Sequence, residues 1–236
     1  MARLPRLALP GHPHHLMLRG NGGQAVVRDE QDGESLLALL GEYAQNHRVL
    51  LHAYLFLPDQ VHLLATPQAQ DSLPLWVQGM SRRYVRGFND RHGRRGTLWE
   101  GRYRSQVLEA GRWLLPSMVA LDLLPVRTGL APQPQDHAWG SHRHYVGLQP
   151  GRFLTPPAVY WELGNTPFAR EAAYAELVRA GLDAATQLQL EESWRGEWAL
   201  GSEAFVASAQ KLTPRRLRKT RAGRPAASRE NPIKTG

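Results

Sequence analysis

The chain has 236 residues, 42% of them hydrophobic, which suits a soluble globular protein with one good core plus an appendage and excludes a minimal scaffold. It has no cysteine, which excludes disulfides, thiolate metal sites and a cysteine nucleophile, so any metal must sit on His, carboxylate or amide ligands. The net charge of +8 is uneven: residues 211–236 hold nine of the 29 Lys and Arg against the single acid Glu230, leaving twenty of each sign in the rest. Within that neutral body, 82–104 carries eight Arg against Asp90 and Glu100, whereas 151–210 has four Arg against eight acids. A basic strip and a basic tail point to a polyanion, most economically nucleic acid. With no run of eighteen apolar residues and no export-type start, the expected location is the cytoplasm, associated with the nucleoid.

In chain order, His14 to Leu18 reads as a first strand ending at the turn-rich Arg19–Gly23. His12, His14 and His15 lie close together, but their spacing matches no metal-site pattern. Residues 34–46 form a helix by period, with Leu36, Leu37, Leu40, Tyr43 and Ala44 on one stripe. The run Leu50 to Pro67, LLHAYLFLPDQVHLLATP, reads as two apolar strands broken by Pro58-Asp59, a hairpin. On its second strand Gln60, His62, Leu64 and Thr66 share one face. Two ligand-type side chains at i, i+2 on a strand can present a pair of donors to one metal ion or one phosphate.

A helix starts at Asp71-Ser72, with Leu73, Trp76, Val77, Met80, Tyr84 and Phe88 on its apolar stripe. Arg82, Arg83 and Arg86 fall off that stripe and offer guanidinium groups to a phosphate backbone. The segment 91–104 then mixes Arg94, Arg95, Arg102 and Arg104 with glycines and with Trp99 and Tyr103, a composition that grips phosphates and stacks bases, Trp99 being the more structural ring. Arg102 to Leu108 is a further strand. Residues 112–124 form a buried helix, apolar nearly all round, with Asp122 its one acid, and the LLPVRTGL run stops it. After a loop-rich 131–170, helices are expected over 168–181 and 200–211. From Leu212 there are too few apolar residues to pack, so a disordered tail is expected; within it Arg221 and Arg224 lie in RAGRPA, which resembles an AT-hook core for a narrow minor groove.

Leu57-Pro58-Asp59-Gln60-Val61-His62-Leu63-Leu64 resembles the M-P-N-H-V-H-L-L wording of the REP-associated tyrosine transposases, members of the single-tyrosine HUH transposase superfamily. The resemblance continues, in family order, through 3–21, RHGRRGTLWEGRYRSQ (91–106), LLPVRTGL (123–130), WGSHRHYVG (139–147) and ALGSEAFV (199–206). It implies an α+β fold, an antiparallel sheet with packed helices in the ferredoxin-like manner. The expected organisation is a domain over 1–150, then by period and composition a helical extension over 151–211 and the tail over 212–236. Intact members cut single-stranded DNA beside a hairpin: a divalent ion on two histidines polarises the phosphate, and a tyrosine attacks it to form a phosphotyrosine.

Aligned on LLPVRTGL, this chain has Ala120 where the family has its tyrosine and Leu124 at the family's asparagine, while Gln60 replaces the first histidine and His62 is retained. Gln60 and His62 remain a weak site for Mg²⁺ or Mn²⁺. Histidine at position 15 is also frequent in the family, which implies a role near DNA. Three readings follow. The favoured one is a pseudoenzyme that binds hairpin DNA with a single-stranded flank. The others are an active transposase or nickase with a displaced tyrosine, Tyr84, Tyr103 or Tyr145 among them, and an RNA-hairpin binder.

Overall fold

The computed structural model describes residues 6–219. Its centre is a four-stranded sheet of β1 (His14–Arg19), β2 (Val49–Phe56), β3 (Gln60–Pro67) and β4 (Arg104–Val107) in the order β2-β3-β1-β4. Every neighbouring pair is antiparallel. With α1 (Glu30–Asn46) between β1 and β2, and α2 (Ser72–Arg91) between β3 and β4, the sequence order βαββαβ is that of a ferredoxin-like core. The expected α+β class is the one observed.

Alternation along each strand divides the core into two layers. Leu16, Leu18, Val61, Leu63 and Ala65 point to one face, where they pack against Leu36 and Leu40 of α1 and Trp76, Met80, Tyr84 and Phe88 of α2. Trp76 donates its ring N–H to the Leu40 carbonyl at 3.0 Å, which ties the two helices together over the sheet. α1 begins four residues earlier than its apolar stripe indicated, because the Asp29 side chain caps the backbone N–H of Asp32.

The opposite face, carrying Ala53 and Leu64, is covered by α3 (Leu115–Arg127) and by the extension: α5 (Ala158–Trp161), α6 (Pro167–Ala180) and α7 (Ala184–Gly196). Tyr160, Tyr174, Val178 and Leu190 share one cluster with the sheet, so the extension is the second layer of the core. A short α4 (His142–Tyr145) lies in the loop before it. α3 corrects the expected boundary: it is preceded by a wide π turn at Ala110–Leu114 and runs through Pro125 to Arg127. Pro125 is accommodated near the helix end, where Thr128 Oγ1 donates to the Leu124 carbonyl at 2.8 Å and Gly129, at φ 72°, turns the chain away.

The free edge of β4 is covered. Leu200 donates its backbone N–H to the Val107 carbonyl at 2.9 Å, and Glu109 returns one to Leu200 at 2.8 Å, so ALGSEAFV closes the sheet edge. Beyond it, α8 (Glu203–Lys211) packs Val206 and Ala209 on Leu7, Leu9, Val107 and Leu217. Leu217 is fully buried, Ala199 donates to its carbonyl at 3.0 Å, and Arg215 pairs with Glu197 at 2.7 Å. The tail expected from 212 is packed against the fold as far as 219, where the Gln210 side chain also bonds the backbone of Thr213, Arg215 and Leu217 and Arg218 donates to the Glu203 carbonyl. Arg221 and Arg224 lie outside the described residues.

Candidate nucleic-acid interface

Gln60 and His62 do share one face of β3, the face that α3 and the extension cover. His15 and Met17 on β1 and Arg104 and Gln106 on β4 stand on the same face, since His15 pairs with Leu64 and Gln106, and Met17 with His62 and Arg104. His15 Nε2 lies 3.0 Å from His62 Nδ1, and His62 Nε2 lies 3.2 Å from Gln60 Oε1. The Gln60 amide NH₂ faces Asp59 at 3.4 Å, which orients Oε1 towards the ring. This network assigns the tautomers: His15 donates to His62 Nδ1, and His62 donates from Nε2 to Gln60. So arranged, neither nitrogen of His62 offers a lone pair to a cation, and the pair does not fit a divalent ion.

The pair is also closed off. His15 and His62 are each 3% exposed, and Trp194 of α7 packs 4.6 Å from the ring of His15 and 6.0 Å from that of His62. Beside them a void of about 10 Å³, room for about one water, is lined by Gln106, whose amide has no partner among the described residues. Sequence reading missed Trp194, because no helix was assigned to 184–196. The signal was Asp183, whose side chain caps the backbone N–H of Thr186 at 2.8 Å ahead of Leu188, Leu190 and Trp194.

Burial pushes His62 from its ordinary 6.5 down to about 4, against the opposing pull of Asp59, and takes His14 to about 3. Burial also holds His15 well below its usual range, with repulsion from His62 adding to it. The unfolded chain binds protons at these rings that the folded chain refuses, so stability is full above about pH 6.5 and is expected to fall as the pH drops towards about 4. Urea unfolding at stepped pH checks this, and His62→Leu is expected to flatten part of the fall. A wild-type stability that stayed constant across that window would show that the rings ionise freely in the fold.

The position expected to match the family's tyrosine is apolar in its surroundings as well as its side chain. Ala120 is 1% exposed in the cluster that holds Leu64, Met118 and Leu121, and Leu124 is half-buried. Tyr84 and Tyr103 belong to the other face of the sheet, and Tyr84 donates its hydroxyl to the Val26 carbonyl. Tyr145 is fully buried and donates to the His52 carbonyl. Burial raises the phenols of Tyr84 and Tyr145 far above their ordinary range and that of Tyr103 to about 12, so none is a ready phenolate.

The expected DNA-contacting residues divide by environment. Arg82, Arg86, Arg95, Arg102 and Arg104 are exposed. Arg83 is held by Glu42 of α1 at 3.0 Å. Arg94 is half-buried, with its guanidinium 5.6 Å from the Phe88 ring centre and bonded to Gln24. Tyr103, expected to stack on a base, is 8% exposed with Arg6 over its ring at 5.7 Å, so its faces are taken and it acts as a wall. Two clefts meet at Gly101-Arg102. One, of about 450 Å³, lies between α2 and the 99–103 segment; the other, of about 270 Å³, runs past Arg19, Met17 and Arg104 towards the histidine pair. Gly101 has φ 123°, a conformation that only glycine adopts without strain, and it sets the turn that separates them.

These features define first a class of fold, a βαββαβ sheet sandwiched between two helices on one face and a helical extension on the other. No family model matches the sequence, and no curated protein matches it. Among solved structures the fold is similar to that of a REP-associated tyrosine transposase bound to a REP hairpin, with a TM-score of 0.51 and 16% identity over 66% of this chain and 92% of that one. Weaker likenesses are to a protein of Deinococcus radiodurans R1 named as a transposase (TM-score 0.35, 24% identity, 44% and 84% covered) and to a bacterial tRNA(His) guanylyltransferase-like protein in complex with ATP (0.32, 14%, 56% and 71%). At these identities the likeness is one of fold. No helix among the described residues is long and apolar enough to cross a membrane.

Proposed function

We propose that this chain is a transposase-fold protein that binds a DNA hairpin with a single-stranded flank and does not cleave it by the tyrosine route. The observation that carries the reading is the state of the β3 face: His62 is hydrogen-bonded at both nitrogens beneath Trp194, and the α3 position aligned with the family's tyrosine is Ala120 in an apolar cluster. Attack on a phosphate needs an in-line nucleophile and a means of offsetting charge, and the described residues offer neither at that place. Binding needs less. The exposed arginines of α2 and of the 95–104 segment, on a fold similar to that of a hairpin-bound transposase, support contact with a phosphate backbone.

The division of arginines gives a direct test. Replacing Arg82, Arg86 and Arg95 together with Ala is expected to lower the log–log salt slope of hairpin binding by about 0.7 for each phosphate that is no longer neutralised. Arg83→Ala, which frees Glu42, is expected to change the slope less. Fluorescence anisotropy at several salt concentrations measures both. An unchanged slope in the triple variant would take these residues out of the interface.

A further inference from the structure

At the β2 edge of the sheet, the 138–154 segment closes against α1 and leaves a cleft of about 500 Å³. Helical spacing sets Gly33, Leu37 and Gly41 on one face of α1. A Cβ at Gly33 would clash with the Trp139 ring and one at Gly41 with the Phe153 ring, so both rings rest on bare helix backbone. Glycine weakens a helix interior relative to alanine, and here it lets two aromatic walls stand with a gap between them. Glu30 and Glu34, at i and i+4, line the same cleft. The other acids of α1, Asp32 and Glu42, are paired with Arg91 and Arg83, but Glu30 and Glu34 have no ion pair among the described residues. Like charges at that spacing repel, and the helix dipole offsets this for Glu30 in the first turn but not for Glu34. Of the arginines there, Arg143 is spent on the Gln135 carbonyl at 2.7 Å, and Arg152 stands at the other end, beside Phe153. Tyr54 of β2 completes the lining. Its hydroxyl and Trp139 Nε1 have no hydrogen-bond partner among the described residues, and neither atom is sealed from solvent. Burial raises the Tyr54 phenol to about 12, so at neutral pH its hydroxyl is a donor.

We infer that this cleft binds an extended, proline-containing segment of a partner protein, with an arginine or lysine of that segment set against Glu30 and Glu34. The inference goes beyond nucleic-acid binding and uses none of the arginines assigned to it. A polyproline II segment makes no hydrogen bonds within itself, so its carbonyls are free to accept from Tyr54 and Trp139. At about 3.1 Å per residue, about four residues cover the stretch of α1 from Gly33 to Gly41, about 12 Å long. The two carboxylates select a basic side chain, whose charge removes their mutual repulsion. They would repel the phosphates of a nucleic acid, and an uncharged segment would leave them unanswered.

The test uses the full chain and a fluorescein-labelled peptide of alternating arginine and proline, about ten residues long, read by fluorescence anisotropy. Saturable binding is expected. It is expected to weaken about tenfold or more when Glu30→Gln and Glu34→Gln are combined, two exposed changes that leave hairpin binding as it was. Tyr54→Phe, which keeps the ring and removes one donor, is expected to weaken it by a smaller factor. Because the chain has no cysteine, Ala38→Cys capped with a bulky maleimide blocks this cleft alone and is expected to abolish binding. Absence of saturable binding, or equal binding of a glutamate–proline counterpart, would overturn the inference. So would binding that stayed undiminished in the double variant or in the capped protein. A labelled oligothymidylate whose binding was lost on capping would reassign the cleft to nucleic acid, and peptide binding seen only after deletion of 220–236 would make the chain's own tail the occupant. Loss of hairpin binding by the unaltered protein, with peptide binding intact, would overturn the function proposed above and leave this inference standing.

Discussion

Incubated with Mg²⁺ or Mn²⁺ and an end-labelled hairpin, the purified protein is expected to leave the strand uncut and to form no adduct that survives denaturation. The effect is absolute because three separate requirements fail together. Ala120 has no nucleophilic atom, and an apolar cluster surrounds it. Tyr84, Tyr103 and Tyr145 are buried, with their phenols raised by burial, and the rings packed on His62 are those of His15 and Trp194. His62 has both nitrogens engaged. Restoring Gln60→His, Ala120→Tyr and Leu124→Asn together is expected to give little cleavage while Trp194 stays in place, since placing a phenol and an amide in an apolar layer costs about 2–7 kcal/mol without partners. A phosphotyrosine adduct on the unaltered protein, lost on His62→Ala, would overturn the reading and promote a displaced nucleophile.

The second large effect is on stability and concerns Asp122. Its Oδ2 accepts from His142 Nδ1 at 2.8 Å and from the Tyr174 hydroxyl at 2.7 Å, and all three groups are buried. One carboxylate thus joins α3, α4 and α6 across the layer that covers the histidine face. Asp122→Ala would leave two buried donors unpaired and is expected to cost about 3–5 kcal/mol, read as a fall in the urea midpoint. Asp122→Asn keeps an acceptor and is expected to cost less. If alanine cost no more than about 1 kcal/mol, water or a repacked side chain must take over the donors.

Sequence and tertiary structure contributed differently, and the boundary has physical causes. Alternation along QVHLLATP placed Gln60 and His62 on one face, and the stripe of Leu73, Trp76, Val77, Met80, Tyr84 and Phe88 placed the arginines of α2 outward, because both periods are set by local backbone geometry. The same periods made the antiparallel α+β class legible. Which side chain meets which across the sheet is not a local property. That His15 would bond His62 depends on the β1–β3 register, over 47 residues of separation. That Trp194 would cap them depends on how the extension folds back, and the burial of Tyr103 depends on Arg6 and α2 closing over a segment whose composition is that of an exposed nucleic-acid contact. Residues 212–219 show the same limit: an Arg-rich stretch reads as tail until Leu217 finds a hollow among Leu7, Leu9 and Val107 and Arg215 and Gln210 tie the backbone down. Periodicity thus determined which residues could reach the site, and long-range packing decided which of them it holds.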